Sequence, residues 1–398
     1  MHTRLFDDID WVGYVDYPIR DFHSYDTERG ATYNAYLVRD AKTALIDTVK
    51  APFADHLLRN VAELTDLAAV DYIVCNHAEP DHASALPRIV EALPQAKVVC
   101  DRRCRDTLAA YHDVASWQFE LVKTGDRISL GRRTLDFVET PMVHWPESMV
   151  TYVPEDKLLF SMDAFGQHYA TSQRFDDELF LPTIMYEAKK YYANIVTPWG
   201  KQVWATLEKA AHLPLSMIAP AHGVIWRTHL KTILDAYAGW AAGRMKPKVL
   251  VIYDTMWEST AQLADAITEG ATQPGVEVMP MHVRRTSLTR LATEALDCAT
   301  MALGSATLNR GMMPAAAAAL NYLEGLRPVG KAAMAFGSYG WGKGAPEAID
   351  RWIDEMPWEK LRGPLRCQYR PTPALLEEGR AAGRLLAQKA KELADGAG

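Results

Sequence analysis

Residues 76–86, with the sequence NHAEPDHASAL, place four potential metal ligands within six positions. These side chains are His77, Glu79, Asp81 and His82, and they follow VDYIVC, which has the continuous apolar character of a buried strand. Carboxylates and imidazoles at the end of a core strand are costly to bury unless a cation holds them together. The pattern therefore predicts a metal site at this strand end.

Further metal-ligand types stand at the ends of later predicted strands. His144 lies in PMVHWPESM, Asp163 in LLFSMDAFG and His222 in IAPAHGV. Loops at the ends of rigid strands are where catalytic ligands concentrate. His23, in RDFHSYDTERG, has two open interpretations, as a pocket-lining residue or as an ordinary loop histidine. The histidines that we expect to be structural or solvated are His112, His212 and His229.

A second chemical signal is the hydroxyl-rich stretch VLVIYDTMWESTAQLA, which leaves a predicted strand and enters a predicted helix. Hydroxyls beside the free N–H groups and positive end of a helix suit a phosphate. The stretch lacks the GK[ST] ending of a nucleotide phosphate loop, and no GxGxxG follows, so a nicotinamide site is not predicted. Glu258 would repel a phosphate and is expected to face solvent. The candidate cofactor residues here are Thr255, Met256, Trp257, Ser259 and Thr260.

Two more loops support the same site. LGSATLNRGMMP and FGSYGWGKGAP follow the third and fourth predicted strands of this region. Glycines allow the backbone to approach a ring system, and an aromatic side chain beside them can stack on it. Loops at this edge of a flavodoxin-like sheet bind FMN. The candidate residues are Ser305, Thr307, Asn309, Gly311, Ser338, Tyr339, Gly340 and Trp341.

The predicted elements form two regions that differ in character. The first begins with the strand-like runs TYNAYLVRD and KTALIDTV, which indicate a hairpin, and continues with mixed strands and helices. This order suits a sandwich of two sheets with helices outside. After GRMKPKVLVIYD, strands and helices alternate strictly, which predicts a parallel, doubly wound sheet. We therefore predict one domain over residues 1–246 and another over residues 247–398.

Composition excludes several classes of partner. The formal charge of −7 over 398 residues provides no basic surface for nucleic acid or anionic lipid. No stretch of 18 apolar residues predicts a membrane span, and the acidic N-terminal segment is unlike a signal peptide. The five cysteines are scattered without a CxxC pair, so we expect a reducing cytoplasm and no built-in rubredoxin or iron–sulfur module.

HAEPDH resembles the HxHxDH loop of the metallo-β-lactamase-like superfamily over about residues 30–230, except that Glu79 replaces the second histidine. Mixed histidine and carboxylate ligands suit non-haem iron, although they also admit zinc or manganese. With the flavodoxin-like region that follows, the chain resembles the flavodiiron proteins over nearly its whole length. The resemblance implies a metallo-β-lactamase-like αββα sandwich followed by a flavodoxin-like domain. It also implies one iron on His77, Glu79 and His144, a second on Asp81, His82 and His222, and a bridging Asp163.

The resemblance further implies reduction of O2 to water, of NO to N2O, or of both, at two iron ions fed by non-covalent FMN. Electrons would come from a separate donor protein of rubredoxin or flavin reductase type. A head-to-tail homodimer, or a dimer of such dimers, would bring the FMN of one chain to the irons of the other. Two alternatives stay open: a lactamase-fold hydrolase carrying a flavodoxin module, and a non-catalytic electron carrier. Glu79 and the flavin loops disfavour the first, and the complete ligand set disfavours the second.

Overall fold

A computed structural model describes residues 2–396. The chain divides into two compact units, and each draws on two stretches of sequence. The first unit comprises the residues up to Tyr191 together with Lys201–Ala238, and the second comprises Tyr192–Gly200 together with the residues from Gly239 onward. The domain boundary near residue 246 stays a prediction. Within residues 2–396, none of the helices combines the length and apolarity that crossing a membrane requires.

The first unit is rich in short strands. They are β1 (Thr3–Phe6), β2 (Ile9–Trp11), β3 (Tyr14–Asp16), β4 (Asp21–Phe22), β5 (Tyr25–Asp26), β6 (Ala31–Tyr33), β7 (Tyr36–Arg39), β8 (Thr43–Ile46), β9 (Val70–Val74), β10 (Lys97–Cys100), β11 (Phe119–Leu121), β12 (Arg127–Ser129), β13 (Thr134–Glu139), β14 (Met149–Val153), β15 (Leu158–Met162) and β16 (Met217–Pro220). The helices are α1 (Ala54–Ala62), α2 (Pro80–Ala83), α3 (Leu86–Ala92), α4 (Arg102–Tyr111), α5 (Leu181–Tyr191), α6 (Gly200–Ala210) and α7 (Leu230–Ala241).

Two mixed sheets form the centre of this unit. One has the order β1-β2-β7-β8-β9-β10-β11 and the other has the order β12-β13-β14-β15-β16. The predicted hairpin is confirmed, because β7 and β8 pair antiparallel with Tyr36 opposite Ile46. Alternate side chains from both sheets, such as Tyr36, Phe137 and Phe160, meet in one buried core. This is the two-sheet sandwich that the strand-rich sequence predicts.

The second unit alternates strands and helices. Its strands are β17 (Lys248–Asp254), β18 (Glu277–His282), β19 (Thr300–Leu308), β20 (Gly311–Met312), β21 (Ala332–Tyr339), β22 (Glu359–Lys360) and β23 (Leu365–Gln368). Its helices are α8 (Ser259–Ala271), α9 (Leu288–Asp297), α10 (Pro314–Leu326), α11 (Ala345–Glu355) and α12 (Pro373–Asp395). The order β18-β17-β19-β21, with β22 and β23 both paired to β21, is parallel throughout. The predicted doubly wound sheet is confirmed.

Buried clusters cover both faces of this parallel sheet. One contains Leu291 of α9, Leu320 of α10 and Ile349 of α11, and the other contains Leu263 of α8 and Leu386 of α12. The near-continuous apolar run Val249 to Ile252 explains this arrangement, because a strand with helices on both faces buries successive side chains. Helices on both faces leave the strand ends free for loops.

The segment Tyr192–Gly200 belongs to the second unit although it lies far upstream of the rest in sequence. It contains a π-helical turn, Tyr192–Val196, followed by a 3₁₀ turn, Thr197–Trp199. The Asn194 amide lies 3.3 Å from the Thr289 carbonyl oxygen and accepts a 2.8 Å hydrogen bond from the Tyr322 hydroxyl. These bonds attach the segment to α9 and α10.

Candidate functional site

The first histidine-rich loop is fixed by hydrogen bonds at the end of β9. The Asp47 carboxylate accepts both the backbone N–H and the side-chain amide of Asn76, each at 2.9 Å. The Thr151 hydroxyl donates to the Asn76 side-chain oxygen at 2.8 Å, and the Met149 N–H donates to the Asn76 carbonyl. Asn76 is therefore joined to both sheets, and the next residue, His77, leaves β9 in a fixed direction.

The seven candidate ligands from the sequence lie together in the first unit. They form two groups, one of His77, Glu79, His144 and Asp163 and one of Asp81, His82 and His222. In the first group, Glu79 Oε2 lies 3.1 Å from His77 Nε2 and 3.2 Å from His144 Nε2. In the second, Asp81 Oδ2 lies 3.1 Å from both His82 Nε2 and His222 Nε2.

Asp163 joins the two groups through its two carboxylate oxygens. Its Oδ2 lies 3.5 Å from His77 Nε2 and 3.4 Å from His144 Nε2. Its Oδ1 lies 3.3 Å from His82 Nε2 and 3.5 Å from His222 Nε2. Each oxygen thus faces one pair of histidines, which is the arrangement of a bridging carboxylate.

Buried atoms without hydrogen-bond partners test whether these residues suit metal ions. Among the described residues, both carboxylate oxygens of Asp81 and Asp163 are buried without a hydrogen-bond partner, as are the Nε2 atoms of His82, His144 and His222. Such atoms carry a large desolvation cost. Ligand atoms about 2.1 Å from one ion lie about 3.0–3.4 Å from each other, which agrees with most of the separations above. The residues fit a pair of cations with mixed imidazole and carboxylate ligands.

Outer hydrogen bonds orient the ligating rings. His77 Nδ1 lies 2.7 Å from Glu147 Oε1, and His222 Nδ1 lies 2.5 Å from the Thr32 carbonyl oxygen. These contacts leave both Nε2 atoms facing the cluster, since a ring that donates from one nitrogen presents the other as a ligand. Sequence reasoning missed Glu147, although the quoted PMVHWPESM contains it three residues after His144.

Burial and mutual attraction shift the pKa values of the ligands. Burial alone would raise the pKa of Asp163, but the neighbouring histidines lower it well below its ordinary range. Burial would lower the pKa of His144, but Asp163 and Glu79 raise it to about 9. Without metal, these shifts favour an ionised Asp163 beside a protonated His144, and a bound metal ion would replace that proton.

Three further side chains surround the cluster. His23 Nε2 lies 3.0 Å from Glu79 Oε1, so the pocket-lining interpretation of His23 agrees with the structure. His168 is buried with both ring nitrogens unpartnered among the described residues, and its ring lies 4.7 Å from that of His222. Tyr191 is also buried, and the centroid of its ring lies 5.9 Å from that of His222. His168 and Tyr191 were not singled out from the sequence, because isolated histidines and tyrosines in helical or loop segments have many ordinary roles.

The candidate flavin loops of the second unit converge at one edge of its sheet. Asp254 at the end of β17 pairs with Ser305 of β19, and Ala306 pairs with Ser338 of β21. The loops after these parallel strands therefore meet at their carboxyl ends. A 2.7 Å hydrogen bond between Thr260 Oγ1 and Ser338 Oγ connects the first loop to the third.

The hydroxyls at this edge differ in availability. Thr255 Oγ1 is buried and lacks a hydrogen-bond partner within the described part of the chain, whereas Ser259 Oγ donates to the Tyr369 carbonyl at 2.5 Å. Ser305 differs from the loop role expected for it, because β19 extends through it and its hydroxyl bonds to the backbone of Ala306 and Met313. Thr255, in the loop that leads into the thirteen-residue α8, therefore has a hydroxyl that is available to a ligand at the start of the helix.

The other candidate flavin residues occupy the rim of this edge. Asn309 and Gly311 lie at the β19–β20 turn, and Tyr339 ends β21. Trp341 is 95% exposed, so its ring is free to contact a ligand. Glu258 is exposed as expected, but it adopts a left-handed conformation (φ 64°) at the start of α8. The other loop candidates at or near the surface are Met256, Trp257 and Gly340.

Sequence reasoning missed two residues at the flavin edge. Tyr369 follows β23, its N–H donates to the Tyr339 carbonyl at 2.9 Å, and its side chain is 61% exposed. Arg284 follows β18 and donates to Asp254 Oδ1 at 2.8 Å. Tyr369 was missed because the last strands of the sheet were not predicted. Arg284 had no local motif to distinguish it.

Two known protein families match two separate parts of the chain. The model of the ODP family beta lactamases matches residues 31–223, and the flavodoxin model matches residues 251–383. The first range contains the seven candidate metal ligands, and the second contains the three candidate flavin loops.

Several relatives are similar over almost the whole chain. A nitric oxide reductase of Moorella thermoacetica is 44% identical over 91% of this chain and 92% of its own. The flavodiiron protein structure from Giardia intestinalis has a TM-score of 0.97 at 36% identity, covering 100% of this chain and 98% of that one. The rubredoxin oxygen:oxidoreductase of Desulfovibrio gigas has a TM-score of 0.95 at 35% identity, covering 99% of each chain.

Proposed function

The chain belongs to the flavodiiron proteins, and on that premise we propose that it reduces NO, O2 or both, using FMN and two non-haem iron ions. The relatives at this level of similarity include a nitric oxide reductase and a rubredoxin oxygen:oxidoreductase. The observation that carries the proposal is the position of Asp163, whose two carboxylate oxygens each face one pair of histidines.

We assign one iron to each ligand group. His77, Glu79 and His144 would hold the first iron. Asp163 would bridge the two irons, and the remaining ligand group would hold the second. Glu79 supports iron over zinc, because a second carboxylate gives the first group harder, more oxygen-rich ligand atoms than an all-histidine group would have. The residues of the second iron are Asp81, His82 and His222.

When bound, two ferrous ions and reduced FMN supply the four electrons that convert O2 and four protons to two waters, or the two that convert two NO and two protons to N2O and water. The chain positions the ligands and holds protons beside them. Tyr191 keeps its phenolic proton, since burial first and Asp163 second raise its pKa well above the ordinary value. His168 stays neutral, because burial lowers its pKa well below the ordinary value.

For FMN we assign the phosphate to the start of α8. Thr255 Oγ1 and the first N–H groups of the helix would donate to it. The isoalloxazine ring would lie among the exposed aromatics at this edge of the sheet, including Trp341 of the third loop and Tyr369 after β23. Ser259, Thr260 and Ser338 would position the loops through the hydrogen bonds they already make.

We propose that a separate protein of rubredoxin or flavin reductase type delivers the electrons, in the cytoplasm. The Desulfovibrio gigas relative is a rubredoxin oxygen:oxidoreductase, a name that specifies rubredoxin as that protein's donor. This chain has five cysteines without a CxxC pair, so its sequence offers no rubredoxin site of its own. All five are buried free thiols, which suits a reducing compartment.

Activity is tested by reducing the FMN- and iron-loaded protein anaerobically and mixing it with O2 or NO while flavin absorbance is followed. We expect rapid reoxidation by at least one gas, with water or N2O as product. Protein loaded with zinc in place of iron is the matched control, and its flavin should not transfer electrons to a metal site. Equal reoxidation with iron and with zinc would refute a di-iron reaction. Full activity as an esterase would favour the hydrolase alternative.

We also propose a head-to-tail homodimer, or a dimer of such dimers, in which the FMN of one chain serves the irons of the other. A mixed dimer tests this arrangement. One of its chains would carry His77→Ala and His144→Ala, and the other would carry Thr255→Val with further changes in the loop of residues 255–260. Each variant alone should be inactive, and the purified mixed dimer should regain activity through its one intact pair of sites. Mixed dimers without any activity would refute transfer between chains.

A further inference from the structure

A large apolar cavity lies in the first unit, apart from the metal-ligand cluster. It has a volume of about 560 Å³ and lies between the sheet β12–β16 and the helices α6 and α7. Strand alternation explains its floor: Leu135 and Phe137 of β13 pack in the sandwich core, while Val138 is on the opposite side. None of the seven candidate metal ligands lines it.

The lining is mostly apolar, although charged side chains such as those of Arg127, Glu139 and Lys209 also border it. Val150 of β14 and Leu159 of β15 contribute to the sheet wall, and Val203 and Leu207 of α6 and Leu234 of α7 contribute to the helix wall. Apolar cavities of about 150 Å³ stay free of water and bind xenon or benzene. The space described here is several times larger and is partly open to solvent, at exposed lining residues such as Thr124 and His212, and its apolar walls suit small apolar molecules.

One end of the cavity reaches the chain segments that carry the metal ligands. Val143 and Ala164 line it, and they are covalent neighbours of His144 and Asp163. Phe165 also lines it, and its N–H donates to the Tyr237 hydroxyl at 2.7 Å. This bond joins two residues of the cavity wall, Phe165 and Tyr237, at the base of the ligand loops.

We propose that this cavity binds the diatomic substrate gases and keeps them in an apolar space beside the ligand loops. The inference rests on the proposed function, because it takes O2 or NO as the substrate. Both gases are small and weakly polar, so transfer from water into an apolar space is favourable for them. Water gains little from the apolar part of the walls, which offers few hydrogen-bonding groups. The cavity would raise the local gas concentration without adding any group that reacts with the gas.

Xenon is the probe for this space, because it is apolar, chemically inert and visible by anomalous scattering. Crystals of the iron- and FMN-loaded protein are pressurised with xenon, and a site is expected among Val138, Val150 and Leu207. Val150→Phe places a ring in the cavity and should remove the xenon site. Leu207→Phe does the same from the helix wall, so a folding defect in one variant leaves the other as a test. Val329→Phe, at a position that is 56% exposed in the second unit, is the matched control.

The kinetic readout separates gas entry from chemistry. In the filled variants we expect reoxidation to slow at low O2 or NO concentration, while the rate at saturating gas, the iron content and the FMN content stay unchanged. Absence of xenon from the wild-type cavity, unchanged second-order rate constants in both filled variants, or a co-purified larger apolar molecule that excludes xenon would each overturn the inference. A loaded protein that reacts with neither gas would instead overturn the proposed function, and the gas role of the cavity with it.

Discussion

Replacing Glu147 by glutamine tests whether the carboxylate behind His77 contributes to metal affinity. Glu147 is 1% exposed, and its Oε1 lies 2.7 Å from His77 Nδ1 and 3.2 Å from the Ala78 N–H. Burial alone would raise the pKa of Glu147. The hydrogen bond and the charge of His77 lower it by more, so the pKa lies below its ordinary value. The carboxylate is therefore ionised, and its hydrogen bond to the imidazole is charge-assisted.

The magnitude follows from the kind of hydrogen bond that is lost. Glu147→Gln keeps an acceptor in place but removes the charge, which converts a bond of about 1.5–3 kcal/mol into one of about 0.5–1.5 kcal/mol. The difference corresponds to about tenfold weaker binding at the metal site of His77. Glu147→Ala removes the acceptor and leaves a buried N–H unpaired, so about 100-fold is expected.

The assay is an anaerobic titration of metal-free protein with Fe(II) against a chromophoric chelator. Two sites should be resolved in the wild type, and only the one that contains His77 should weaken in the variants. Glu155→Gln is the matched control, because Glu155 is an exposed carboxylate that accepts the Thr134 N–H in the same unit. Affinity of Glu147→Gln within about twofold of the wild type, or equal weakening at both sites, would refute the reasoning from charge-assisted orientation.

Three other predictions concern the two sites. Glu79→His should shift metal preference from iron to zinc and abolish gas-dependent flavin reoxidation with the fold intact, as metal analysis and circular dichroism would show; retained activity with bound iron would contradict it. Thr255→Val should weaken FMN binding by about 1.5–3 kcal/mol. Ser259→Ala should weaken it less, because the Ser259 hydroxyl already bonds to the Tyr369 carbonyl whereas that of Thr255 has no such partner. Flavin fluorescence titration measures both affinities, and the reverse order would be inconsistent with our phosphate site. In metal-free protein, burial lowers the pKa of His144 but neighbouring carboxylates raise it to about 9 from 6.5. This stabilisation is complete below pH 6.5 and lost as pH rises through 9, so the free energy of unfolding should fall by about 3 kcal/mol over that range; urea unfolding of metal-loaded protein, which should not show the loss, is the control.

Periodicity and ligand spacing predicted the main architecture because the strongest signals are local. The hairpin of β7 and β8 and the alternation after residue 246 both come from runs of residues with clear patterns. The seven candidate ligand residues at strand ends could be predicted for the same reason, and the structure brings all seven together. The short strands β1–β5 were not predicted, because two to four residues are too few to show a period.

The remaining site residues depend on contacts between distant parts of the chain. Glu147 reaches His77 across 70 positions, and Thr32 reaches His222 across 190, so neither partner is visible in a local motif. Non-glycine residues in the left-handed region also occur at the site, at Met142 (φ 64°) and Met162 (φ 55°), each close in sequence to a ligand. Surrounding packing must impose such conformations, because the residue types do not favour them.

The interleaving of the two units limits how this protein can be divided or exchanged. A gene fragment that starts at residue 247 would encode every strand of the parallel sheet but would lack Tyr192–Gly200. That fragment would lose the bond between the Tyr322 hydroxyl and Asn194 and the packing of Tyr192 against Trp240, whose ring centroids lie 5.2 Å apart. A functional chimaera must therefore exchange both stretches of a unit together.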